Sequence, residues 1–285
     1  MNRRRFLSLS AAALLPTPAA AQSWRGRALG ADVDVTLTGP GAQAALDAIP
    51  AILNGIEAQF SLYRDSALTR LNRDGHLVPD AMFADLCALC DRLHTVTDGL
   101  FDPTVQPLWR ALATGAPILP ARSAIGWHRV TLGARIGLDH GQAMTFNGVA
   151  QGFAADVVRA HLAARGFTQA LVNMGEYAAL GGPFTVSIDD PATGQIGRTR
   201  ITGAALATSS PAALLVGGLP HILHPKGQPA LWSTVTVQAD SAALADGLST
   251  ALVFATRDQT RLIRDRLAGV HTITLIDNAG DLTTI

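Results

Sequence analysis

Cysteine is nearly absent from this chain: Cys87 and Cys90 are the only two among 285 residues. Their C-x-x-C spacing raises a redox reading. Yet they fall with Phe83, Leu86 and Leu93 on one helical face that begins after Pro79-Asp80. Both sulfurs then sit mid-helix, away from the N-terminal turn that stabilises a thiolate, so buried core cysteines are the better reading. An excess of either charge is also missing, because 22 basic residues face 22 acidic ones. That balance leaves no electrostatic footprint for nucleic acid or anionic lipid. After the first residues no segment is apolar for long enough to span a bilayer, which predicts a soluble mature protein. Neither a P-loop nor a G-x-G-x-x-G dinucleotide fingerprint occurs, and there is no internal repeat or low-complexity tract.

What is present begins with the leader. Asn2-Arg3-Arg4-Arg5-Phe6-Leu7 gives a basic start, an apolar stretch runs to Leu15, and Ala19-Ala20-Ala21 precedes Gln22. Residues 1–21 therefore read as an export signal, and the arginines followed by Phe-Leu favour the twin-arginine route into the periplasm. The segment is too short for a membrane anchor. Its removal takes three arginines and no acids, so the mature chain is mildly acidic. About 260 residues remain, enough for one large domain over 22–285 or for two tightly joined lobes.

Periodicity predicts a strand pair or one bent strand over Trp24–Leu37, a helix over Ala42–Phe60, a polar loop from Ser61 to Leu77 and a helix over Asp80–Thr97. A second loop follows from Asp98 to Pro107, and Gly115–Ala121 is a candidate crossing between lobes. Short strands are expected within Arg122–Leu138 and around Met144, then a helix over Ala150–Arg165 closed by Gly166. Further strands are expected at Ala170–Asn173, Phe184–Ile188, Arg198–Ile201, Ala204–Ala207 and Ser233–Gln238. A helix over Ser241–Phe254, one over Asp258–Leu267 and a hairpin turned at Asp277-Asn278-Ala279-Gly280 complete the chain. Strands and helices mix without strict alternation, which argues for an α+β fold with mixed or antiparallel sheets and packed helices.

Four segments carry chemistry. Asp246 and Thr250 lie four residues apart on the helix that also carries Leu244, Leu248, Ala251 and Leu252, so a carboxylate and a hydroxyl share one stripe. Oxygen ligands of this kind suit Mg²⁺; a first-turn Asp and a packing Thr are the plainer alternative. Asn147-Gly148-Val149-Ala150-Gln151-Gly152 opens a helix whose free amides favour a phosphate, or is an ordinary Gly-containing cap. His221, in His221-Ile222-Leu223-His224-Pro225, is a candidate general base or a solvated loop histidine. Thr208-Ser209-Ser210 supplies three hydroxyls after a strand, suited to phosphate oxygens or to a simple turn.

Taken in order, these segments resemble the FAD:protein FMN transferases, the ApbE family, over nearly the whole mature chain. The family's first-strand Met-Gly-Thr is Leu29-Gly30-Ala31 here. Phe60-Ser61-Leu62-Tyr63-Arg64-Asp65-Ser66-Ala67-Leu68-Thr69-Arg70-Leu71-Asn72 fits its FSxYxxxSxLxxLN pattern. Thr97-Asp98-Gly99-Leu100-Phe101-Asp102-Pro103-Thr104 fits TDGxFDPT without a break. Further matches are Thr145 to Asp156, Val172-Asn173-Met174-Gly175-Glu176, Thr208-Ser209-Ser210 for Thr-Ser-Gly, His221 to Pro225, and Ala245-Asp246-Gly247-Leu248-Ser249-Thr250-Ala251 for ADxxxTA.

The resemblance implies a T-fold-related architecture and Mg²⁺-dependent transfer of FMN from FAD to a Thr or Ser hydroxyl of a client flavoprotein, with release of AMP. It implies Asp246, Thr250 and the Gly148 carbonyl as metal ligands and His221 as the catalytic base. Tyr63, Leu100, Phe101, Asp102, Thr145, Gln151, Thr208 and Ser209 would hold the dinucleotide, with Leu29 and Ile222 as apolar contacts. Three departures alter charge beside the expected ligand: Thr145 replaces an Asp, Gln151 a Lys or Glu, and His224 an Asp. Gln151 and Thr145 keep hydrogen-bonding capacity, so retuned binding is expected. The Asn-Gly-x-Ala-Gln-Gly form resembles a branch associated with nitrous-oxide respiration accessory proteins, whose client is a membrane-bound flavoprotein. A flavin carrier without transfer and an FAD pyrophosphatase are the alternatives.

Overall fold

The computed structural model describes residues 21–285 apart from Ala192. The export leader expected over 1–21 lies outside the described residues, save for Ala21. The frame is an eight-stranded sheet in the order β1 (Gln22–Ala28), β2 (Ala31–Leu37), β5 (Ala170–Asn173), β6 (Tyr177–Leu180), β9 (Ala205–Ser209), β12 (Thr234–Ala239), β13 (Val270–Ile276) and β14 (Leu282–Thr284). Every neighbouring pair is antiparallel. Three two-stranded ribbons stand apart: β3 (His76–Leu77) with β4 (Ile136–Gly137), β7 (Phe184–Asp190) with β8 (Gly194–Ile201), and β10 (Leu215–Val216) with β11 (Leu219–Pro220). The fold is α+β, as the mixed periodicity predicts. Among the described residues no helix is long and apolar enough to cross a membrane.

The strands at the sequence ends form where apolar residues alternate. Val33, Val35 and Leu37 are buried on one side of β2, and Leu29-Gly30 turn the chain with positive φ at both residues, the backbone a two-residue hairpin requires. The central β12 is buried almost throughout because helices cover the face that an outer strand leaves to water. Helix α7 (Ala150–Ala164) packs on β5 and β6, helix α8 (Ala242–Leu252) packs on β9 and β12, and the two helices pack on each other. Helix α4 (Ala81–Val96) backs α8. It starts where the Asp80 carboxylate accepts the Phe83 amide hydrogen, and it buries Cys87 and Cys90 as free thiols. Burial pushes the Cys87 thiol up to about 12 and raises Cys90 as well, so neither is a ready thiolate.

Several stretches differ from the sequence expectation. The helix expected over Ala42–Phe60 is two helices, α1 (Ala42–Asp47) and α2 (Ile49–Phe60), with Pro50 in the first turn of the second, where its missing N–H is harmless. The expected loop Ser61–Leu77 contains α3 (Ala67–Asp74), started by a reciprocal Ser66–Thr69 capping box and ended by Gly75 with positive φ. Helix α5 (Gln106–Thr114) follows the Asp98 loop, and α6 (Ile118–Ser123) begins inside the Gly115–Ala121 segment and packs on α5. Within Arg122–Leu138 only the short β4 and a single bridge from Thr131 to Gly137 form, and the Met144 region is irregular. Its backbone is instead satisfied by Asn72, whose amide group bonds both the N–H and the carbonyl of Met144. The last helix, α9 (Arg257–Asp265), and the β13–β14 hairpin lie where expected.

Candidate functional site

Helices α7 and α8 hold each other by their amino ends. Asp156 of α7 accepts hydrogen bonds from the Ala242 and Ala243 amides, both at 3.0 Å, and from the Ser241 hydroxyl at 2.7 Å. In return, Asp246 of α8 accepts the Gly152 amide of α7 at 3.0 Å. Each carboxylate meets the positive end of the opposite helix dipole. The crossing is tight, because a Cβ on Gly152 would collide with the Ala242 carbonyl. Gly148, just before α7, lies close to Thr250 but less tightly: a Cβ there would sit 3.0 Å from the hydroxyl oxygen. Glycine at both positions lets the start of α7 reach α8.

A cavity of about 580 Å³ opens beside this crossing. Gly148, Gln151, Asp246 and Thr250 line it from the two helices, and Glu176, Thr208, Ser209 and Ser210 line it from the sheet. Leu100, Phe101, Val105, Trp109 and Ile222 give it an apolar end, and the tip of the β7–β8 ribbon contributes Asp189 and Asp190. Asp102, Thr145 and His221 complete the sequence-derived set that the fold brings together here. Leu29 and Tyr63 are not brought to this wall. Leu29 sits in the β1–β2 turn with its amide bonded to Glu57, and the Tyr63 ring is 75% exposed.

Asp102 lines the cavity, but its carboxylate is already occupied. It accepts hydrogen bonds from the Thr104 amide and hydroxyl and from the Trp127 amide, and so shapes the loop that presents Leu100 and Phe101. Thr145 is tied into the same wall by its amide bond to the Pro103 carbonyl, and its hydroxyl accepts the Asn147 amide. Gln151 lies over Gly175, whose positive φ and lack of a Cβ make room for it.

Among the described residues lining the cavity are five acids and neither lysine nor arginine. Four of the five acids are buried: Asp190 is 2% exposed, Asp246 3%, and Asp102 and Glu176 8% each. Burial pushes the Asp246 carboxyl up to about 7, against the pull of the Gly152 amide. Burial and the neighbouring Asp246 charge push Glu176 well above the usual range, although Glu176 accepts the Thr208 amide at 2.9 Å. Glu176 was not singled out as a site residue by sequence reasoning; the signal lay in its place after Val172-Asn173-Met174-Gly175. Nor was Trp109, which shares a helical face with Val105.

The hydroxyls have a definite polarity. Ser249 donates to the Asp246 carbonyl, so the Ser209–Ser249 contact of 2.8 Å is donated by Ser209. Thr234 donates to Asp190, so the Ser210–Thr234 contact of 2.7 Å is donated by Ser210. Both serines therefore turn lone pairs, not protons, to the cavity, which suits a cation or an N–H donor better than the phosphate oxygens suggested by their sequence. His221 is polarised too. Its Nδ1 lies 3.0 Å from the Pro211 carbonyl, which can only accept, so the proton sits on Nδ1 and Nε2 is left basic. Burial lowers its pKa further from 6.5, overcoming the bonds to Pro211 and Leu214, and keeps the ring neutral.

An oxygen-only donor set of carboxylates, hydroxyls and a carbonyl, carrying uncompensated acid, fits a hard divalent cation. Among the described residues no cluster of three or more His, Cys, Asp and Glu forms, so such an ion would have to rely on Asp246 and Glu176 together with neutral oxygens.

Residues 29–274 match the sequence model of the ApbE family. No match was found among curated protein sequences. Among solved structures, the apo flavinyl transferase ApbE of Pseudomonas stutzeri is 25% identical, with 95% of this chain and 97% of that one covered at a TM-score of 0.79. The flavin transferase ApbE of Vibrio cholerae is 23% identical over 94% and 97% of the two chains, with a TM-score of 0.81. The ApbE protein of Thermotoga maritima is 23% identical over 93% and 96%, also at 0.81.

Proposed function

We propose, because this chain belongs to the ApbE family, that it is a flavin transferase moving FMN from FAD to a Thr or Ser hydroxyl of a client protein, with AMP as the leaving group. The observation that carries this reading is the acid-rich, oxygen-lined cavity at the start of α7 with a neutral histidine on its wall. The solved flavin transferases that share the fold support it.

The positive dipole end of α7, at Gly148 and Gln151 on the cavity wall, favours a diphosphate, and Leu100, Phe101 and Ile222 offer an apolar surface to a ring. The client hydroxyl oxygen attacks the phosphorus on the FMN side, and its proton passes to Nε2 of His221. The bond from that phosphorus to the bridging oxygen breaks, and AMP leaves with the bridging oxygen. Asp246, Thr250 and the Gly148 carbonyl, with Glu176 beside them, would hold Mg²⁺, which would neutralise charge on the diphosphate. Thr250 is held for this role by its contacts to Ser209 and Gly148. The leader supports a periplasmic site of action after twin-arginine export, on exported or membrane-anchored clients.

The test mixes the purified protein with FAD, Mg²⁺ and a flavoprotein client and reads in-gel flavin fluorescence after denaturation. A labelled client is expected. FMN and AMP without label would mean hydrolysis by water, and FAD held but unchanged would mean a carrier; either result overturns transfer.

A further inference from the structure

We infer that Ser210 is a specificity-determining hydrogen-bond acceptor, reading an N–H group on one of the two ring systems of the dinucleotide donor; the inference rests on the cavity being a dinucleotide site. Ser210 occupies the place of the glycine in the family's Thr-Ser-Gly, so the hydroxyl is an addition in this chain. Its direction is set from behind. The Asp190 carboxylate accepts the Thr193 amide and hydroxyl on one oxygen and the Ser233 and Thr234 hydroxyls on the other. These donors all point at the carboxylate, which accepts from each of them. Thr234, fully buried, spends its only proton on Asp190 and can only accept from Ser210. Ser210 thus faces the cavity with lone pairs alone.

A phosphate oxygen also brings only lone pairs, so it is rejected at this position. Sugar hydroxyls can rotate to donate or accept and are read weakly. An N–H carried by a base, whether ring imide or exocyclic amine, is an obligate donor, and it completes the chain from ligand to Ser210, Thr234 and Asp190. The loop after Ser210 continues into β10, which packs on α5, the helix that carries Trp109 to the cavity wall just after Val105. Ser210, Val105 and Trp109 line the same cavity, which offers a flat ring an apolar wall and the acceptor together. Two N–H groups of the donor have this chemistry, the flavin imide and the adenine amine.

The experiment compares FAD, N3-methyl-FAD, which lacks the imide hydrogen, and the 6-unsubstituted purine analogue of FAD, which lacks the amine and adds no N–H. Wild type, Ser210→Gly, Ser210→Ala and Thr234→Val are assayed by kcat/KM for AMP release and by dissociation constant from flavin fluorescence quenching. Wild type should prefer FAD over one analogue by about tenfold or more in both measurements, and the disfavoured analogue identifies the N–H that is read. Ser210→Gly and Ser210→Ala should lose that preference by weakening FAD alone, and Thr234→Val should weaken it in part. A Ser210→Gly protein that keeps the full preference, or a wild type indifferent to both analogues, overturns the inference. Wild-type turnover of FAD alongside either result would leave the dinucleotide reading standing, whereas no FAD binding at all would sink both.

Discussion

Replacing Asp246 with asparagine should stabilise the metal-free protein while abolishing transfer. The carboxyl has an ordinary value of 3.8 and is pushed to about 7 in the folded chain, chiefly by burial. A carboxyl raised in this way keeps its proton in the fold after the unfolded chain has released it. Stability is therefore greatest below about 3.8, falls as pH rises toward 7, and is level above that. Between pH 5 and pH 8 the loss spans two units, or about 3 kcal/mol at 1.36 kcal/mol per unit. For a chain of this size that is a drop of roughly 6–12 °C in melting temperature. Asparagine keeps an oxygen to accept the Gly152 amide and carries no charge, so Asp246→Asn should lose this contribution and show a shallower pH dependence than wild type over this window, the buried Glu176 carboxyl supplying what remains. Thermal melts of mature wild type and variant at pH 5 and pH 8 in chelator, then with Mg²⁺ at pH 8, test this. Mg²⁺ should restore stability to wild type alone. A variant less stable than wild type at pH 8 in chelator, or a wild type indifferent to pH, would refute the reasoning.

Further outcomes follow from the same geometry. Gly152→Ala puts a methyl group into the Ala242 backbone and should cost about 1–3 kcal/mol in urea unfolding, whereas Gly148→Ala, pressing only on the Thr250 side chain, should weaken Mg²⁺ dependence more than it lowers stability. Because burial lowers His221, the acid limb of kcat/KM for transfer should have its midpoint below 6.5; His221→Gln should lose that limb along with most of the rate, and a midpoint above 6.5 would contradict the neutral-base assignment. Cys87 and Cys90 should resist thiol reagents at pH 8 until the protein unfolds, and rapid native labelling would show that α4 opens.

Segments whose pattern matched their local energetics could be read directly from the chain. The alternation of Val33, Val35 and Leu37, the strand at Ala170–Asn173 and the helix from Ala150 closed by Gly166 all depend on near neighbours. Helix α3 escaped notice because Ser66, Asp65 and Asn72 resemble loop composition, although Ser66 and Thr69 carried a capping signal. The strands expected within Arg122–Leu138 failed to form because their partners lie elsewhere: the Gly126 amide goes to Thr104 and the Trp127 amide to Asp102. Most of the site was visible as motifs in order. What no spacing could reveal is hydrogen-bond direction: the proton of Ser209 is committed to Ser249 and that of Ser210 to Thr234, residues 40 and 24 positions away. The acid at Glu176 gains its meaning only beside Asp246, across a long stretch of sequence.

The mutual grip of α7 and α8 also sets an order of events. The bond from Gly152 to Asp246 joins residues 94 positions apart, and Asp156 reaches Ala242 over 86. An unfinished or clipped chain lacking its last third has no Asp246 to meet the amide and no Thr250 to meet Gly148. Assembly of the cavity wall is thereby postponed until synthesis is nearly over, and a fragment ending before α8 leaves the amino end of α7 without its partner.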